Sequence, residues 1–304
     1  MKPACIALLL SAATSVAGSS AVPPETADAY FAEIDRWHFQ RLERLRDANG
    51  WLTLVGLHWL EPGSQSVGRS AGNDLQLAVG PARLGQVSLE EGRVLFSPEP
   101  GAAVEVQPAT PVKSGSSFAL TPDTGDAPSV VRFGDANFVV IERSGRLGLR
   151  VKDPSAQART DFTTVDRFPI DREWRFEARF EAHPPGRTID IASVINTIEP
   201  MKNPGAVLFE KDGKPYRLEA VDEGDGKLFL IFADRSNGKS TYGPGRFLYA
   251  DAPVDNRTVV DFNRAYNPPC AFNAYSTCPL PPPENRLDLV VDAGEKKYQA
   301  AAAH

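Results

Sequence analysis

The chain has 304 residues, 42% of them hydrophobic and 24% charged, with a net charge of −6. Acidic and basic residues are interspersed, which argues against a nucleic-acid or anionic-membrane surface. After the first residues no apolar run reaches the length of a membrane-spanning helix.

The opening "MKPACIALLLSAATSVAGSSA" has a positive Lys2, an apolar run from Ala4 to Ala13, and small residues at Ser15-Val16-Ala17 and Ser19-Ser20-Ala21. This reads as a secretory signal peptide over residues 1–21, so the protein is expected to be exported, to a periplasm or outside the cell. Its loss removes Lys2 and leaves a net charge of about −7. Cys5 leaves with it. Cys270 and Cys278 remain, an even count in an oxidising compartment, and are expected to form a disulfide closing a small loop. A zinc pair and a free nucleophilic thiol are the alternatives. No further Cys or His lies at suitable spacing, so no metal is expected.

Next comes "TADAYFAEIDRWHFQRLERLRDANG", the one convincing helix. Phe31, Ile34, His38, Leu42 and Leu45 form its apolar stripe, Thr26 caps its start and Asn49-Gly50 ends it. His38 reads as a packed, hydrogen-bonded structural histidine. "GWLTLVGLHWLEPG" follows as a buried strand or compact turn, and its His58 reads as a buried, satisfied side chain.

From residue 66 the pattern is one of short strands. "DLQLAV" alternates. "QVSLEEGRVLF" and "FVVIERSGRLGLRV" predict hairpins at Glu91-Gly92 and Ser144-Gly145. "EWRFEARFEA" puts Trp174, Phe176, Ala178 and Phe180 on one face. "AVLFEKDGKPYRLEAV" carries Asp212-Gly213, the strongest short hairpin signal. "KLFLIFAD" is apolar on both faces, as a central buried strand should be. "GRFLYA" and "RTVVDFN" are expected to pair across "DAPVDN". His183, ahead of two prolines, is expected to be exposed. Strands this frequent with almost no helix predict a mainly β protein of sandwich- or barrel-like antiparallel sheets with one N-terminal helix. The expected organisation is a helix plus sandwich-like unit over 22–151, a linker over 152–172, and a second β unit over 173–304.

"SVGRSAGNDLQL" resembles the opening of forkhead-associated domains, which are small β-sandwiches. The Ser-x-x-His element of that family's recognition loop is absent, so Gly68, Arg69 and Asn73 read as turn chemistry. No nucleophile elbow, zinc-protease, Walker or dinucleotide motif is present, and no cofactor is expected.

The C-terminal third holds the candidate site. Asp234 sits where "KLFLIFAD" ends and a Gly-rich loop begins, with Thr241, Tyr242 and Arg246 in or just after that loop. Alternation puts Asp261 and Asn263 on one face of the next strand. Tyr266, Asn267, Glu284 and Asn285 flank it, in a loop held by X-Pro bonds and the cysteine pair. Asn267-Pro268 is a candidate cis bond. One reading is a hydrolase-like enzyme in which Asp234 and Asp261, with Glu284 as substitute, do acid–base work on a small polar substrate, helped by Arg246 and the tyrosines. The second is a non-catalytic binding module for a sugar- or nucleoside-like ligand, using Tyr266, Phe272 and Tyr275 with Asn263, Asn267 and Asn273. The third is a structural envelope protein, in which Asp234–Arg246 is an ion pair and Asp261 accepts loop N–H groups.

The runs "GWLTLVGLHWLEPG", "GRLGLRV", "IFADRSNGKSTYGPGRFL", "DFNRAYNPPCAFNAYSTCPLPPPENRL" and "AGEKKY" resemble the bacterial and archaeal family catalogued as domain of unknown function 1684. The resemblance spans most of the chain after the leader. It implies that the Asp234–Arg246 and Asp261–Asn285 segments form one signature, and it carries no catalytic role.

Overall fold

The computed structural model describes residues 27–110 and 117–299. The expected leader with its cleavage sites, the expected Thr26 cap and His304 lie outside the described residues. Helix α1 (Ala27–Arg46) precedes ten strands. These are β1 (Leu54–Trp59), β2 (Gly63–Gly68), β3 (Leu75–Gln76), β4 (Gly85–Glu90), β5 (Arg93–Pro98), β6 (Glu105–Gln107), β7 (Phe118–Leu120), β8 (Val130–Phe133), β9 (Ala136–Arg143) and β10 (Arg146–Lys152). They form two five-stranded sheets, in the orders β1-β10-β9-β8-β6 and β3-β2-β4-β5-β7. One core fills the space between the sheets. Val131, Phe138, Val140 and Leu149 come from the first sheet, and Val67, Val87, Phe96 and Leu120 from the second. Phe96 meets Phe138 edge-on at 5.6 Å across the layers. This is the expected sandwich, antiparallel except where β2 runs parallel to β3.

The hairpins at Glu91-Gly92 and Ser144-Gly145 form where the dipeptides placed them. Both residues of each turn have positive φ, the twist that suits a two-residue hairpin. "DLQLAV" yields only the two-residue β3. Arg69 is exposed, and the Asn73 amide donates to the Ser70 and Ala82 carbonyls, so this segment is turn chemistry.

Residues 153–174 hold the short α2 (Gln157–Thr160), and Phe162 and Val165 bury themselves with Leu45, Leu52 and Phe272. Eight strands follow: β11 (Arg175–Ala182), β12 (Thr188–Ala192), β13 (Ile198–Lys202), β14 (Gly205–Lys211), β15 (Lys214–Ala220), β16 (Lys227–Phe232), β17 (Arg246–Asp251) and β18 (Arg257–Asp261). The orders are β15-β14-β11-β18 for a four-stranded sheet, with separate pairs β16-β17 and β12-β13. The expected pairing of "GRFLYA" with "RTVVDFN" does not occur. β17 takes its ladder from β16, and β18 takes its ladder from β11. The two neighbours lie side by side without a ladder: the Thr258 hydroxyl donates to the Asp251 carbonyl at 2.8 Å, and Phe247 and Tyr266 exchange backbone bonds of 2.9 Å.

The faces follow the alternation. Ala178, Phe180, Val207 and Val260 pack against Leu228, Leu230, Phe232 and Leu248 in the main C-terminal core. The other face of β16–β17, carrying Phe229, Ile231, Phe247 and Tyr249, packs with the β12–β13 hairpin and Cys278. This explains why "KLFLIFAD" is apolar on both sides.

Helix α1 lies against the C-terminal unit. Its buried residues are Tyr30, Ile34, Arg41 and Leu45; Ile34 and Leu45 belong to the expected stripe, while its other members, Phe31, His38 and Leu42, are half-buried. The burial of Tyr30 and Arg41 has a polar cause: Tyr30 bonds Asp261 at 2.9 Å and Arg41 pairs with Glu295 at 3.2 Å. The Nδ1 of His38 has no hydrogen-bond partner, contrary to expectation, and burial lowers its pKa. His58 also lacks a partner for Nε2, and its ring rests against Gly56. His183 is not exposed. Its Nε2 lies 2.7 Å from Glu219 and its side chain is 7% exposed, because the buried Glu219 draws donors to itself. No helix among the described residues is long and apolar enough to cross a membrane.

Candidate functional site

The sequence-predicted residues occupy two kinds of place. Most are sealed inside the C-terminal unit and hold its loops together. Arg246 is wholly buried, 3.0 Å from the Asp234 carboxylate, and also donates to the carbonyls of Val291 and Ala293. Asp234 in turn accepts the N–H groups of Ser236 and Val291. The buried Thr241 hydroxyl bonds Ser236 at 2.7 Å. Tyr242 donates to the Cys270 carbonyl at 3.0 Å, tying the two signature loops to each other. Asn267 binds the Lys296 carbonyl through its amide and Glu295 through its backbone. Asn285 brackets the Glu219 backbone and reaches the Ile231 carbonyl. Glu284 is exposed in a short 3-10 turn. The Asn267–Pro268 bond is not cis. Among the described residues the cis bond is Gln107–Pro108.

Asp261 sits at the boundary. It ends β18 and caps the next turn, accepting the Asn263 N–H at 3.0 Å. Tyr30 donates to its carboxylate, and the Asn263 amide bonds both Asp261 and Tyr30. Burial, with the Asp261 charge beside it, pushes the Tyr30 hydroxyl up, so it stays a neutral donor. Val259 and Asp261 face a cavity while Val260 and Phe262 enter the core. The alternation therefore holds as far as Asp261, and the 3-10 turn then redirects Asn263.

That cavity is a cleft of about 1150 Å³ bounded by α1, the β9–β10 end of the sandwich, the β12–β13 hairpin and the β16–β17 face. Of the predicted residues only Asp261, Tyr266 and Cys278 line it. Asp234 and Arg246 do not. Cys270 and Cys278 are joined by a disulfide with a Cα–Cα distance of 6.2 Å, which anchors the loop on this wall. The ends of β16 and β18 do emerge on the same side, since the start of β17 touches both Asp234 and Tyr266.

An aromatic wall dominates the cleft. Phe229 and Tyr249 stack at 4.8 Å, and Tyr249 and Tyr266 lie 14° from parallel at 6.4 Å. Trp37 meets Tyr266 at 6.4 Å, and Arg41 sits 4.8 Å over the Tyr266 ring. Burial, partly offset by Arg41, pushes the Tyr266 hydroxyl up to about 12. Burial and the neighbouring Tyr266 raise Tyr249, which donates to the Glu223 carboxylate. Both are protonated donors at neutral pH. Tyr249 and Trp37 escaped the sequence reading. The alternation of "GRFLYA" places Tyr249 opposite Leu248, and only the packing of that second face gives it meaning. Among the described residues no cluster of three or more His, Cys, Asp or Glu is placed to hold a metal.

This is a sandwich-bearing β protein with a signature-built C-terminal unit and an interunit cleft. Residues 160–296 match the family model described as Protein of unknown function (DUF1684). The match starts after the "GWLTLVGLHWLEPG" and "GRLGLRV" runs, so the resemblance drawn from those runs lies outside it. A solution structure of an uncharacterized protein from Haloarcula marismortui is 28% identical, with a TM-score of 0.38. That similarity covers 45% of this chain and 78% of the other. No curated protein matches the chain.

Proposed function

We propose that the protein is a binding module whose cleft takes a small polar ligand with a ring face that packs on aromatic side chains, of the sugar or nucleoside kind. The observation that carries this reading is the Phe229–Tyr249–Tyr266 wall, with Tyr249 and Tyr266 nearly parallel and all three lining a cavity of ligand size. A nucleobase packs on such a wall through its π face and a sugar through its C–H face, and the rim carboxylates and guanidiniums supply orientation. The hydrolase reading needs two carboxylates acting on one substrate, and Asp234 is enclosed by its own partners away from the cleft.

Trp37 and Trp51 line the cleft and report on it. Titration of the fluorescence with a panel of sugars and nucleosides is expected to give saturable quenching by one class. Tyr249→Leu keeps an apolar side chain and is expected to weaken that binding by about tenfold, the scale of one aromatic contact. Absence of quenching by every class, or a Tyr249→Leu protein that binds as well as the parent, removes the reading.

We also propose export of the mature chain, supported by the leader residues and the Cys270–Cys278 bond. N-terminal sequencing of the accumulated protein should begin between Gly18 and Val22. Recovery of the chain starting at Met1 would contradict it.

A further inference from the structure

The sandwich wall of the cleft carries a cluster that neither the signature nor the aromatic face explains. Arg143 closes β9 and Arg150 lies in β10, while Thr277 comes from the disulfide-held loop more than a hundred residues away. Arg143 Nε donates to Thr277 Oγ1 at 3.2 Å, and an Arg150 terminal nitrogen donates to the same oxygen at 3.1 Å. A hydroxyl oxygen has two lone pairs. Two guanidiniums therefore occupy its acceptor capacity, and the Thr277 hydrogen is left as a donor polarised by two cations. Arg143 and Thr277 both line the cavity.

The charge here is not balanced. Asp123 takes both terminal nitrogens of Arg143, at 3.0 and 2.8 Å. Among the described residues Arg150 has no carboxylate within salt-bridge distance, is 5% exposed, and its Nε has no partner. Burial, with Arg143 beside it, pulls the Arg150 guanidinium down to about 10. Burial and Arg150 likewise lower Lys152 on the same strand. Glu199, on the same rim, is exposed and is taken by the Ser144 N–H and hydroxyl. Two guanidiniums thus share the one Asp123 carboxylate, which reaches Arg150 only from beyond salt-bridge distance, and a bound anion would supply the second negative charge.

We propose that the cleft contains an oxyanion subsite, in which a phosphate, sulfate or carboxylate group of the ligand sits against Arg143 and the Thr277 hydroxyl. Arg150 is a positioning residue: it turns the hydroxyl toward the cleft and adds its charge from behind. This rests on the cleft being the ligand site, and it makes the ligand class an anionic one, such as a sugar phosphate or nucleotide.

The test uses the full mature chain and probes that differ only in the anion: inorganic phosphate alone, glucose against glucose 6-phosphate, and adenosine against adenosine monophosphate. Calorimetric titration of the parent protein is expected to show saturable phosphate binding that weakens with added salt. Thr277→Val, which keeps the shape and loses the donor, is expected to weaken phosphate by about tenfold or more, with Thr277→Ser restoring it. Arg150→Met gives a second variant should Thr277→Val fold poorly, and it is expected to weaken phosphate in the same direction. Phosphate that does not bind the parent, or that binds Thr277→Val and Arg150→Met as tightly as the parent, overturns the subsite. The neutral probes separate the two readings. If adenosine or glucose binds and the anion adds nothing, the aromatic cleft stands and the subsite falls. If phosphate binds in a Thr277-dependent way and no neutral ring does, the subsite stands and the aromatic reading falls.

Discussion

Arg246→Met is expected to lower stability by about 3–5 kcal/mol, because it strands a buried carboxylate. Arg246 and Asp234 both have fully buried side chains, 3.0 Å apart. The guanidinium also satisfies carbonyls in the strap from Val291 to Glu295, and it lies 5.3 Å over the Phe232 ring. Met fills similar space and offers none of those donors. Asp234 then keeps only its N–H partners, Ser236 and Val291. The double variant Asp234→Asn/Arg246→Met removes the stranded charge and should recover part of the loss. Guanidinium-chloride midpoints for the parent, the single and the double variant decide the matter. A single variant with an unchanged midpoint would show that the pair contributes nothing. On this account the "ADRSNGKSTYGPGR" stretch of the signature is a lock, in which one arginine clamps the C-terminal strap onto the end of β16–β17.

The second large effect is centred on Glu219, and it depends on pH. Glu219 is 5% exposed and accepts three side chains: His183 at 2.7 Å, Asn203 at 3.1 Å and Arg217 at 2.9 Å. Burial raises its pKa, but the hydrogen bonds from His183, Arg217 and Asn203 outweigh that and leave it below the usual 4.5. A carboxylate held below its unfolded value contributes stability that is present above that value and lost as pH falls through the folded one. Glu219→Gln is therefore expected to cost roughly 3 kcal/mol at neutral pH, as expected when one member of a buried charged network is removed. The gap between the Glu219→Gln variant and the parent should narrow as pH drops below 4.5, since protonation does to the parent what the substitution does to the variant. Denaturation midpoints across that range test it. A gap that is constant with pH would mean that the carboxylate charge is not what the network uses.

Both effects fall on residues whose roles can be read only in part from the chain. Asp234 and Arg246 stand out in sequence as a charged pair around a Gly-rich loop, and the ion-pair reading stands beside the catalytic one. Nothing local decides between them. The pair is structural because the protein supplies the charge partner and the acceptors for both terminal nitrogens of Arg246, leaving only its Nε without one. Those partners, Val291 to Glu295, arrive from 45 to 49 residues downstream. His183 shows the same limit. Two prolines next to it suggest a surface turn, and only Glu219, 36 residues on, draws the ring inward.

What the sequence determined by itself is the part of the fold set by short-range chemistry. Positive-φ dipeptides fix the hairpins at Glu91-Gly92, Ser144-Gly145 and Asp212-Gly213, because few other residues take that backbone twist cheaply. Period-two alternation sorts Phe176, Ala178 and Phe180 to the core, and the mostly β character follows from the number of such runs. Tertiary structure alone decided which strand edges paired, so that β18 joined β11 and left β17 to β16. It also decided which side chains met in the cleft. Tyr249, Trp37, Arg143 and Thr277 come from distant parts of the chain, and their juxtaposition depends on how whole layers pack. Packing energy is summed over many contacts, and no local signal in the sequence carries it.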